Sequence, residues 1–285
     1  MIGEPNADLD AIVHAALAED VGDGDRTTAW TVPPEAEGSA RIVARAEGRV
    51  AGVAFADRVF EVVDDDLARD WMLKDGAGAG AGDTLVRIRG SLASILVAER
   101  TALNGLARLS GIATATAEFV RAVEGTGATL IDTRKTTPGW RALEKRATLA
   151  GGARNHRMGL FDMVLIKENH VRAAGGIRQA LDSVRAGAAR EGLQVEIEVS
   201  TLAELEDALS LPPDRILLDN MDVHELRLAV QRVSLLGDSR PLLEASGGID
   251  MSTVRSVAET GVDFVSVGAI THSAPALDLS MLVDR

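Results

Sequence analysis

Cationic side chains cluster in two short stretches of an otherwise acidic chain. The stretches DTRKTTPGWR and NHRMGLFDMVLIKENH start at residues 132 and 155. They contain Arg134, Lys135, His156, Arg157 and Lys167. Arg binds carboxylates and phosphates through a planar fork, and Lys binds them as a point charge. Because the 285-residue chain has a net charge of −13, its overall field repels anions. A local cationic cluster therefore indicates a pocket for a multiply anionic ligand.

Two carboxylates follow apolar runs further along the chain. Glu198 lies near the end of VEIEV, and Asp219 ends RILLD. Each could pair with a neighbouring Lys or Arg, or accept hydrogen bonds from the hydroxyl groups of a sugar. Beside an anionic ligand, two carboxylates can also hold Mg²⁺, which binds through one or two carboxylates plus phosphate oxygens. We therefore expect Glu198 and Asp219 to be metal ligands.

Glycine turns follow two further apolar runs, in EASGGI and VGAITHS. The backbone N–H groups of a glycine turn at a helix N-terminus form an anion site that needs no side chain. A histidine nearby can donate a further hydrogen bond to a phosphate. The residues expected around a phosphate group are Ser246, Gly247, Gly248, Gly268 and His272.

The spacing of the apolar runs predicts the scaffold that positions these residues. Runs such as ATLID, MVLIK, VEIEV, RILLD, LLEAS and FVSVG alternate with helical patterns, which indicates parallel βαβ units. Nearly every run ends in one of the polar residues above. In a (β/α) barrel the active site lies at the C-terminal ends of the strands. The pattern thus favours a barrel over an open doubly wound sheet, where polar strand ends concentrate at one switch point.

The first part of the chain has a different pattern. Short β-like runs with flanking helices indicate an α+β region up to about residue 98. Apolar residues at helical spacing over about 94–123 predict a helical joint, interrupted at Gly105 and Gly111. DGAGAGAGD at 75–83 partly matches a dinucleotide-binding fingerprint, but a strand pattern follows it. A flexible hairpin is therefore expected there, and not a nucleotide site.

Composition excludes several classes of protein. The chain has no cysteine, which rules out disulfides, thiolate metal sites and a cysteine nucleophile. Its 30 Lys and Arg against 43 Asp and Glu argue against nucleic-acid binding, because a phosphate backbone needs a broad basic surface. The first residues lack the features of a signal peptide, and no apolar run reaches the roughly 18 residues of a membrane span. We expect a cytoplasmic protein without a membrane partner.

With these motifs together, the chain resembles the quinolinate phosphoribosyltransferase family. The resemblance runs almost from end to end and is most specific in DTRKTTPG, NHRMGL and LIKENH. It also covers EDVGDGDRTT, AERTALNGLARLSGIAT, EIEV, LLDN, SGGI and GVDFVSVGAITHSAPALD. It implies an N-terminal α/β sandwich domain over 1–112 and an incomplete (β/α) barrel over 113–275. A tail over 276–285 would pack on the N-terminal domain.

The resemblance also implies an activity and a site. The family converts quinolinate and phosphoribosyl pyrophosphate to nicotinate mononucleotide, pyrophosphate and CO₂, with Mg²⁺, in homodimers with shared active sites. By motif position, the substrate-binding residues would be Arg100, Thr133, Arg134, Lys135, His156, Arg157, Lys167, Ser246, Gly247, Gly248, Gly268 and His272. The catalytic residues would be Lys135, Lys167, Glu198 and Asp219. Arg100 would reach the site of the partner subunit.

Some positions depart from the family pattern. They are Trp140, Arg146, Ala153, Ser200 and Ala245. These departures leave open a paralogous phosphoribosyltransferase for a modified pyridine carboxylate. Lys167, at the end of a barrel strand, also leaves open a Schiff-base aldolase. A barrel that binds phosphoribosyl ligands without catalysis is disfavoured by the presence of Glu198 and Asp219.

Overall fold

The computed structural model describes residues 5–284, with side chains from residue 9 onward. Its α-helices are α1 (Pro5–Val21), α2 (Arg26–Thr31), α3 (Val53–Val63), α4 (Leu92–Val123), α5 (Arg141–Ala150), α6 (Glu168–Ala174), α7 (Ile177–Glu191), α8 (Leu202–Leu209), α9 (Val223–Ser234), α10 (Val254–Ala258) and α11 (Ala269–His272). Its strands are β1 (Glu37–Ala44), β2 (Gly48–Arg49), β3 (Ala68–Trp71), β4 (Gly78–Ala79), β5 (Thr84–Ser91), β6 (Thr129–Ile131), β7 (Val164–Ile166), β8 (Val195–Val199), β9 (Arg215–Asp219), β10 (Leu242–Ser246), β11 (Phe264–Ser266) and β12 (Leu279–Asp284). The chain forms two compact units. One comprises residues up to 117, 136–152 and from 273 onward, and the other comprises 118–135 and 153–272.

The first unit is built on a four-stranded antiparallel sheet in the order β12-β1-β5-β3. Ile42 of β1 and Ile88 of β5 are fully buried and belong to one hydrophobic core with Phe55 and Phe60 of α3 and Ile95 of α4. A sheet with one apolar face must bury that face against another layer. The helices supply this layer, so the expected α/β sandwich is confirmed.

The last strand of the chain belongs to this same sheet. β12 pairs with β1 in antiparallel register, from Ser39 opposite Asp284 to Ala44 opposite Leu279. Arg41 and Asp284 add an ion pair with an N–O distance of 2.5 Å. The C-terminal residues therefore complete one edge of a sheet whose other strands come from the N-terminal part of the chain.

The helical joint is a single helix, and the expected interruptions at Gly105 and Gly111 are wrong. α4 runs unbroken through 32 residues. A Cβ on Gly105 would lie 2.1 Å from a ring carbon of Phe55, and one on Gly111 would lie 2.0 Å from the carbonyl oxygen of Pro275. Both glycines therefore allow close packing, which outweighs the roughly 1 kcal/mol that a glycine costs inside a helix.

Neither α4 nor any other helix within residues 5–284 is long and apolar enough to cross a membrane.

The glycine-rich segment 75–83 is a paired element and not a flexible hairpin. Its residues Gly78–Ala79 form β4, which pairs antiparallel with β2. The N–H of Gly76 donates to the carbonyl of Val50 at 2.8 Å, and the N–H of Val50 donates to Ala77 at 2.9 Å. Pairing between the two segments fixes the backbone. A strand, β5, follows the segment as expected, which excludes the dinucleotide-binding fingerprint.

The second unit is a parallel sheet of six strands in the order β6-β11-β10-β9-β8-β7, with helices between successive strands. Ile197, Ile216 and Leu243 are buried in a core shared with α7, α8 and α9. β6 and β7 occupy the two ends of the strand order and do not pair. Segment 153–157 lies beside β6, where Arg154 bridges to Ile131. The expected incomplete barrel is confirmed.

A stretch inside the barrel region of the sequence folds with the first unit. Residues 136–152 directly follow the cationic DTRK motif and include α5, and they belong to that unit. The carboxylate of Glu144 is fully buried there. It accepts hydrogen bonds from the N–H and hydroxyl of Thr137, at 3.1 and 2.7 Å, and pairs with Arg108 at 3.0 Å. A buried carboxylate needs such partners, so this network fixes the conformation of the TTPG turn.

Candidate active site

One cavity of about 560 Å³ lies at the C-terminal ends of the second unit's strands. The sequence-predicted residues that line it are Thr133, Arg134, Lys135, His156, Arg157, Lys167, Glu198, Asp219, Ser246, Gly247 and Gly248. Residues that the sequence analysis did not single out also line it, namely Leu165, Leu217, Asn220, Glu244 and Ser266. The cavity has the place and the size of a small-molecule site in a barrel.

Strand alternation brings these side chains to one side of the sheet. Glu198 and Ser246 face the cavity, whereas their neighbours Ile197 and Ala245 are buried in the core against the helices. Successive side chains of a strand point to opposite faces. A polar residue at the end of a strand therefore reaches the cavity only when it falls on the inner face.

Two guanidinium groups form the cationic side of the cavity. Arg157 is 8% exposed, and its Nη1 donates to the carbonyl of Met163 at 3.2 Å. Burial, and then the charge of Arg134, lower the pKa of Arg157. No carboxylate within residues 5–284 lies within 4.0 Å of the Arg157 guanidinium. Positive groups held close together in a partly desolvated place favour an anionic ligand.

Lys167 and the two predicted metal ligands form the opposite side. The Lys167 backbone N–H donates to Nδ1 of His170 at 2.9 Å, which fixes the start of α6. Its ammonium group lies 2.5 Å from Oε2 of Glu198. Burial, and then the charge of Glu198, raise the pKa of Asp219. Asn220 donates to Asp219 at 2.7 Å. The two carboxylates are close enough to repel each other, which is the arrangement that a bound cation would relieve.

The glycine turn after β10 is a loop and not the start of a helix, which corrects one expectation. Gly247 and Gly248 have φ angles of 98° and 60°, and α10 begins only at Val254. A Cβ on Gly247 would lie 2.2 Å from Oδ1 of Asn220. The loop requires glycine because the β9 and β10 loops approach so closely. Backbone N–H groups in such a turn can still bind an anion.

Gly268 and His272 lie beside Lys135 and outside the residues that line the cavity. A Cβ on Gly268 would lie 3.0 Å from Cδ of Lys135 and 3.1 Å from Nε2 of His272. The hydroxyl of Thr271 donates to the carbonyl of Lys135 at 2.9 Å. The absence of a side chain at Gly268 thus makes room for the side chains of Lys135 and His272.

Arg100 is a further predicted site residue that does not line the cavity. It lies on α4 in the first unit and is exposed. No described carboxylate, including that of the adjacent Glu99, forms an ion pair with it. Its guanidinium is available to another molecule.

A charged cluster that was not predicted from the sequence lies next to the cavity. Glu196 and Glu244 are buried, and their nearest oxygens lie 3.0 and 3.4 Å from Nε2 of His156. Arg215 pairs with Glu244 at 3.1 Å and stacks over Phe264, 4.1 Å from the ring centroid. Glu196 and Glu244 lie two positions before Glu198 and Ser246 on their strands, so they share the inner face. This period-two relation was the signal in the sequence that could have found them.

Asp132, the first residue of the DTRKTTPG motif, was also missed. Its carboxylate is fully buried. It accepts hydrogen bonds from the amide of Asn155 at 2.6 Å and from the backbone N–H of His156 at 2.8 Å. These bonds join the end of β6 to the NHR motif, which lies beside it.

Burial and charge shift the pKa values of His156 and Glu196 in this cluster. Burial lowers the pKa of His156, but Glu196 and Glu244 outweigh it and raise this pKa to about 9. Burial, and then the charge of Glu244, raise the pKa of Glu196 to about 7. The two groups compete for one proton. The N–H of Arg157 donates to Nδ1 of His156 at 2.6 Å, and a proton on Nδ1 would point at this N–H. In the neutral ring Nδ1 therefore acts as the acceptor, and Nε2 carries the hydrogen toward Glu196 and Glu244.

The departures from the family pattern lie outside the residues that line the cavity. Trp140 packs on Phe55 in the first unit, with ring centroids 5.2 Å apart. Ala153 and Ala245 are buried in the core of the second unit. Arg146 and Ser200 are exposed. The lining of the cavity is thus unaffected by these five residue types.

Comparison with known proteins gives matches over almost the whole chain. The quinolinate phosphoribosyl transferase N-terminal domain matches residues 25–110, and the C-terminal domain of the same family matches residues 112–282. The quinolinate phosphoribosyltransferase [decarboxylating] 1b of Nicotiana tabacum is 42% identical over 98% of this chain and 83% of its own length. A probable nicotinate-nucleotide pyrophosphorylase of Synechocystis is 39% identical over 97% of this chain and 93% of its own.

Solved structures agree with these matches. The nicotinate-nucleotide pyrophosphorylase of Francisella tularensis superposes with a TM-score of 0.90 and 37% identity, over 99% of this chain and 98% of that one. The corresponding protein of Ehrlichia chaffeensis gives a TM-score of 0.91 at 35% identity, with full coverage of both chains. Sequence and structure together show that the chain belongs to the quinolinate phosphoribosyltransferase family.

Proposed function

We propose that this protein transfers the phosphoribosyl group of phosphoribosyl pyrophosphate to quinolinate, with release of pyrophosphate and CO₂, to form nicotinate mononucleotide for NAD biosynthesis. The observation that carries the proposal is the cavity in which four cationic side chains face the carboxylates of Glu198 and Asp219 and a glycine turn. Quinolinate has two carboxylates, and the second substrate has a phosphate and a pyrophosphate. Such a pair of ligands needs this density of positive charge within one pocket.

The cationic side of the cavity supports a subsite for the pyridine. Arg134, Arg157 and His156 are the groups assigned to the quinolinate carboxylates, with Thr133 beside them. A planar fork matches a carboxylate in two-point contact. The buried position of Arg157 keeps water away from this contact, which strengthens it. Its pairing with a dianion would also relieve the repulsion between the two guanidinium groups.

The other side supports a subsite for the phosphoribosyl substrate. Lys135 and Lys167 would bind the pyrophosphate, and Ser246, Gly247, Gly248, Gly268 and His272 would surround the 5′-phosphate. Gly268 lies within reach of both Lys135 and His272, so one substrate could contact all of them. Glu198 and Asp219 remain for the ribose hydroxyls and for a metal ion.

The donor set of Glu198 and Asp219 fits Mg²⁺, which prefers carboxylate and phosphate oxygens. The raised pKa of Asp219, caused by burial and then by the charge of Glu198, supports a site in which a bound cation would stabilise the two carboxylates. When bound there, Mg²⁺ would neutralise charge on the pyrophosphate oxygens. The Lys167 ammonium group now lies against Glu198, and it would turn to the pyrophosphate when both ligands are present.

The chemistry then requires no protein nucleophile. The bond between the anomeric carbon and pyrophosphate breaks, pyrophosphate leaves with the electron pair, and the pyridine nitrogen forms the new C–N bond. Lys135 and Lys167 stabilise the departing charge, and the pocket holds the two substrates in line. The alkylated pyridinium next takes up the electron pair of the C–C bond to the neighbouring carboxylate, which leaves as CO₂. A proton from solvent takes its place.

A homodimer with shared active sites is part of the proposal. Arg100 is exposed and has no ion-pair partner among the described residues, which supports a contact with another subunit. Leu160 and Phe161, in the loop after the NHR motif, are 74% and 73% exposed. Large apolar side chains that lie together at the surface are typical of interfaces.

Subunit complementation tests this sharing. An inactive Arg100→Ala protein and an inactive Lys135→Ala protein are mixed under conditions in which dimers exchange. A mixed dimer has one intact site and one site with both changes. Since about half the dimers are mixed, activity should recover to about a quarter of the wild-type value. Exchange without recovery would mean that Arg100 serves its own subunit or only the fold.

The other functions that the sequence leaves open have less support. Lys167 is 49% exposed and contacts a carboxylate, whereas a Schiff-base lysine needs apolar surroundings. A paralogue for a modified pyridine would require a changed pocket, and the unusual residues lie elsewhere. The proposed location is cytoplasmic, although the relatives in Arabidopsis thaliana and Nicotiana include chloroplastic and mitochondrial proteins.

The deciding experiment is a turnover assay with quinolinate and nicotinate in parallel, each with phosphoribosyl pyrophosphate and Mg²⁺. Quinolinate should be the better substrate, with CO₂ and pyrophosphate released in equal amounts. Excess chelator should abolish turnover, and Mg²⁺ should raise the Tm in the presence of pyrophosphate for the wild type but not for Asp219→Asn. Nicotinate as the better substrate would exclude the decarboxylating reaction, and full activity in chelator would exclude the metal.

A further inference from the structure

The inner face of the barrel contains charged side chains where apolar ones would be enough for folding. Glu196, Arg215 and Glu244 have side-chain exposures of 0, 13 and 1%. A buried ion pair is seldom worth more to stability than apolar side chains of the same volume. The charged cluster is therefore hard to explain by stability alone, and its place next to the cavity indicates a role there.

The cluster is a chain of contacts that ends on His156. Nη1 of Arg215 donates to Oε2 of Glu244 at 3.1 Å, and the guanidinium lies over the Phe264 ring. The same oxygen of Glu244 lies 3.4 Å from Nε2 of His156. Oε2 of Glu196 lies 3.0 Å from this nitrogen. Two carboxylates thus lie within ion-pair distance of one edge of the imidazole, and Arg215 anchors Glu244.

The opposite edge of the imidazole fixes the next residue. The backbone N–H of Arg157 donates to Nδ1 of His156 at 2.6 Å. Asp132 accepts the N–H of His156 at 2.8 Å. The peptide groups before and after His156 are therefore both held, the first by Asp132 and the second, which leads into Arg157, by the His156 ring. A turn of the His156 ring would break the contact to Nδ1 and free this peptide.

We propose that Glu244, anchored by Arg215 and assisted by Glu196, is a positioning residue for the pyridine substrate. It holds the His156 ring and, through the N–H contact on Nδ1, the direction in which Arg157 enters the cavity. Glu244 acts through these two residues and not on the reacting atoms. The inference rests on the proposed function, in which His156 and Arg157 contact the quinolinate carboxylates.

The test replaces the ion pair by apolar side chains, in the variant Arg215→Met/Glu244→Leu. Since apolar replacement of a buried pair is often neutral for stability, the variant should fold. The KM for quinolinate should rise by about 10- to 100-fold, because a displaced Arg157 weakens its charge-assisted contact with the carboxylate. The KM for phosphoribosyl pyrophosphate and the kcat should change by less than about threefold, as for a loss of ground-state contact.

Two further variants separate positioning from bulk stability. Glu244→Gln should keep the KM for quinolinate within about threefold of the wild type. Arg215 and His156 both contact Oε2 of Glu244, and the oxygen of an amide can accept from both. Glu244→Asp cannot span Arg215 and His156 together and should show the high KM even if the apolar variant fails to fold. Arg240→Met is the matched control. It removes the partner of Asp263 at the opposite end of β10 and β11 and should leave both KM values unchanged.

A ligand-free measurement makes the outcome independent of turnover. The ring nitrogens of His156 can be followed by ¹⁵N NMR, since the chain has only five histidines and His156→Gln assigns the signal. This signal should move in Glu244→Asp and remain in place in Glu244→Gln. An unmoved signal in Glu244→Asp, or an equal rise in both KM values, would overturn the proposal. Failure of the wild type to convert quinolinate would instead refute the proposed function, and the NMR result would still test the network.

Discussion

Arg157 should lower the stability of the ligand-free protein while it prepares the site for its substrate. The guanidinium is nearly buried, and no carboxylate in the described part of the chain pairs with it. Burial and the charge of Arg134 lower its pKa, which means that the cation is less favourable in the fold than in water. The substitution Arg157→Met removes the charge and the donors and keeps most of the length of the side chain.

The sizes of the opposing effects can be estimated from these contacts. Relief of an uncompensated buried charge should add about 1–3 kcal/mol to the free energy of unfolding. Loss of the hydrogen bond to Met163 should subtract about 0.5–1.5 kcal/mol. The net gain of about 1 kcal/mol corresponds to a rise in Tm of roughly 2–4 °C. Quinolinate would lose a charge-assisted contact worth about 1.5–3 kcal/mol, which is about a 10- to 150-fold rise in KM.

Calorimetry without ligands and steady-state kinetics with varied quinolinate measure the two effects. The control is Arg178→Met on the exposed face of α7, which should change neither Tm nor KM. A fall in Tm for Arg157→Met would show that the guanidinium stabilises the fold and that its charge is compensated. An unchanged KM would remove Arg157 from the pyridine subsite.

Three further substitutions test other parts of the fold and the site. Gly105→Ala should lower the free energy of unfolding by about 1–3 kcal/mol, because its Cβ would meet the Phe55 ring at 2.1 Å; a stabilised protein in urea unfolding would refute this. His272→Ala should raise the KM for phosphoribosyl pyrophosphate by roughly tenfold, and a rise for quinolinate instead would reverse the two subsites. Burial alone would raise the pKa of Asp263, but hydrogen bonds from Arg240 lower it. The stability this gives is present above about pH 3.8 and lost as the pH falls further. Asp263→Asn should therefore have a lower free energy of unfolding than the wild type at pH 7, and this difference should shrink in acid. A difference that stays the same in acid would show that the charge of Asp263 is irrelevant.

The position of the candidate site in the fold could be predicted from the sequence because it depends on local rules. An apolar run of strand length that ends in a polar residue places this residue at the C-terminal edge of a parallel sheet. Lys167, Glu198, Asp219 and Ser246 all follow this rule. Parallel strands have a common direction, so residues far apart in the sequence meet at one edge without any knowledge of the packing.

Contacts between distant segments required the tertiary structure. Glu196 and Glu244 lie two positions before Glu198 and Ser246, the polar residues at the strand ends. Nothing local to either strand indicates that both carboxylates face His156. Gly105 resembles a helix breaker in the sequence, and only the approach of Phe55, fifty residues earlier, explains why the helix continues. Residue types and their period carry the direction of each side chain relative to its own backbone. Which groups then come within hydrogen-bonding distance is set by how strands and helices pack, and packing is a property of the whole chain.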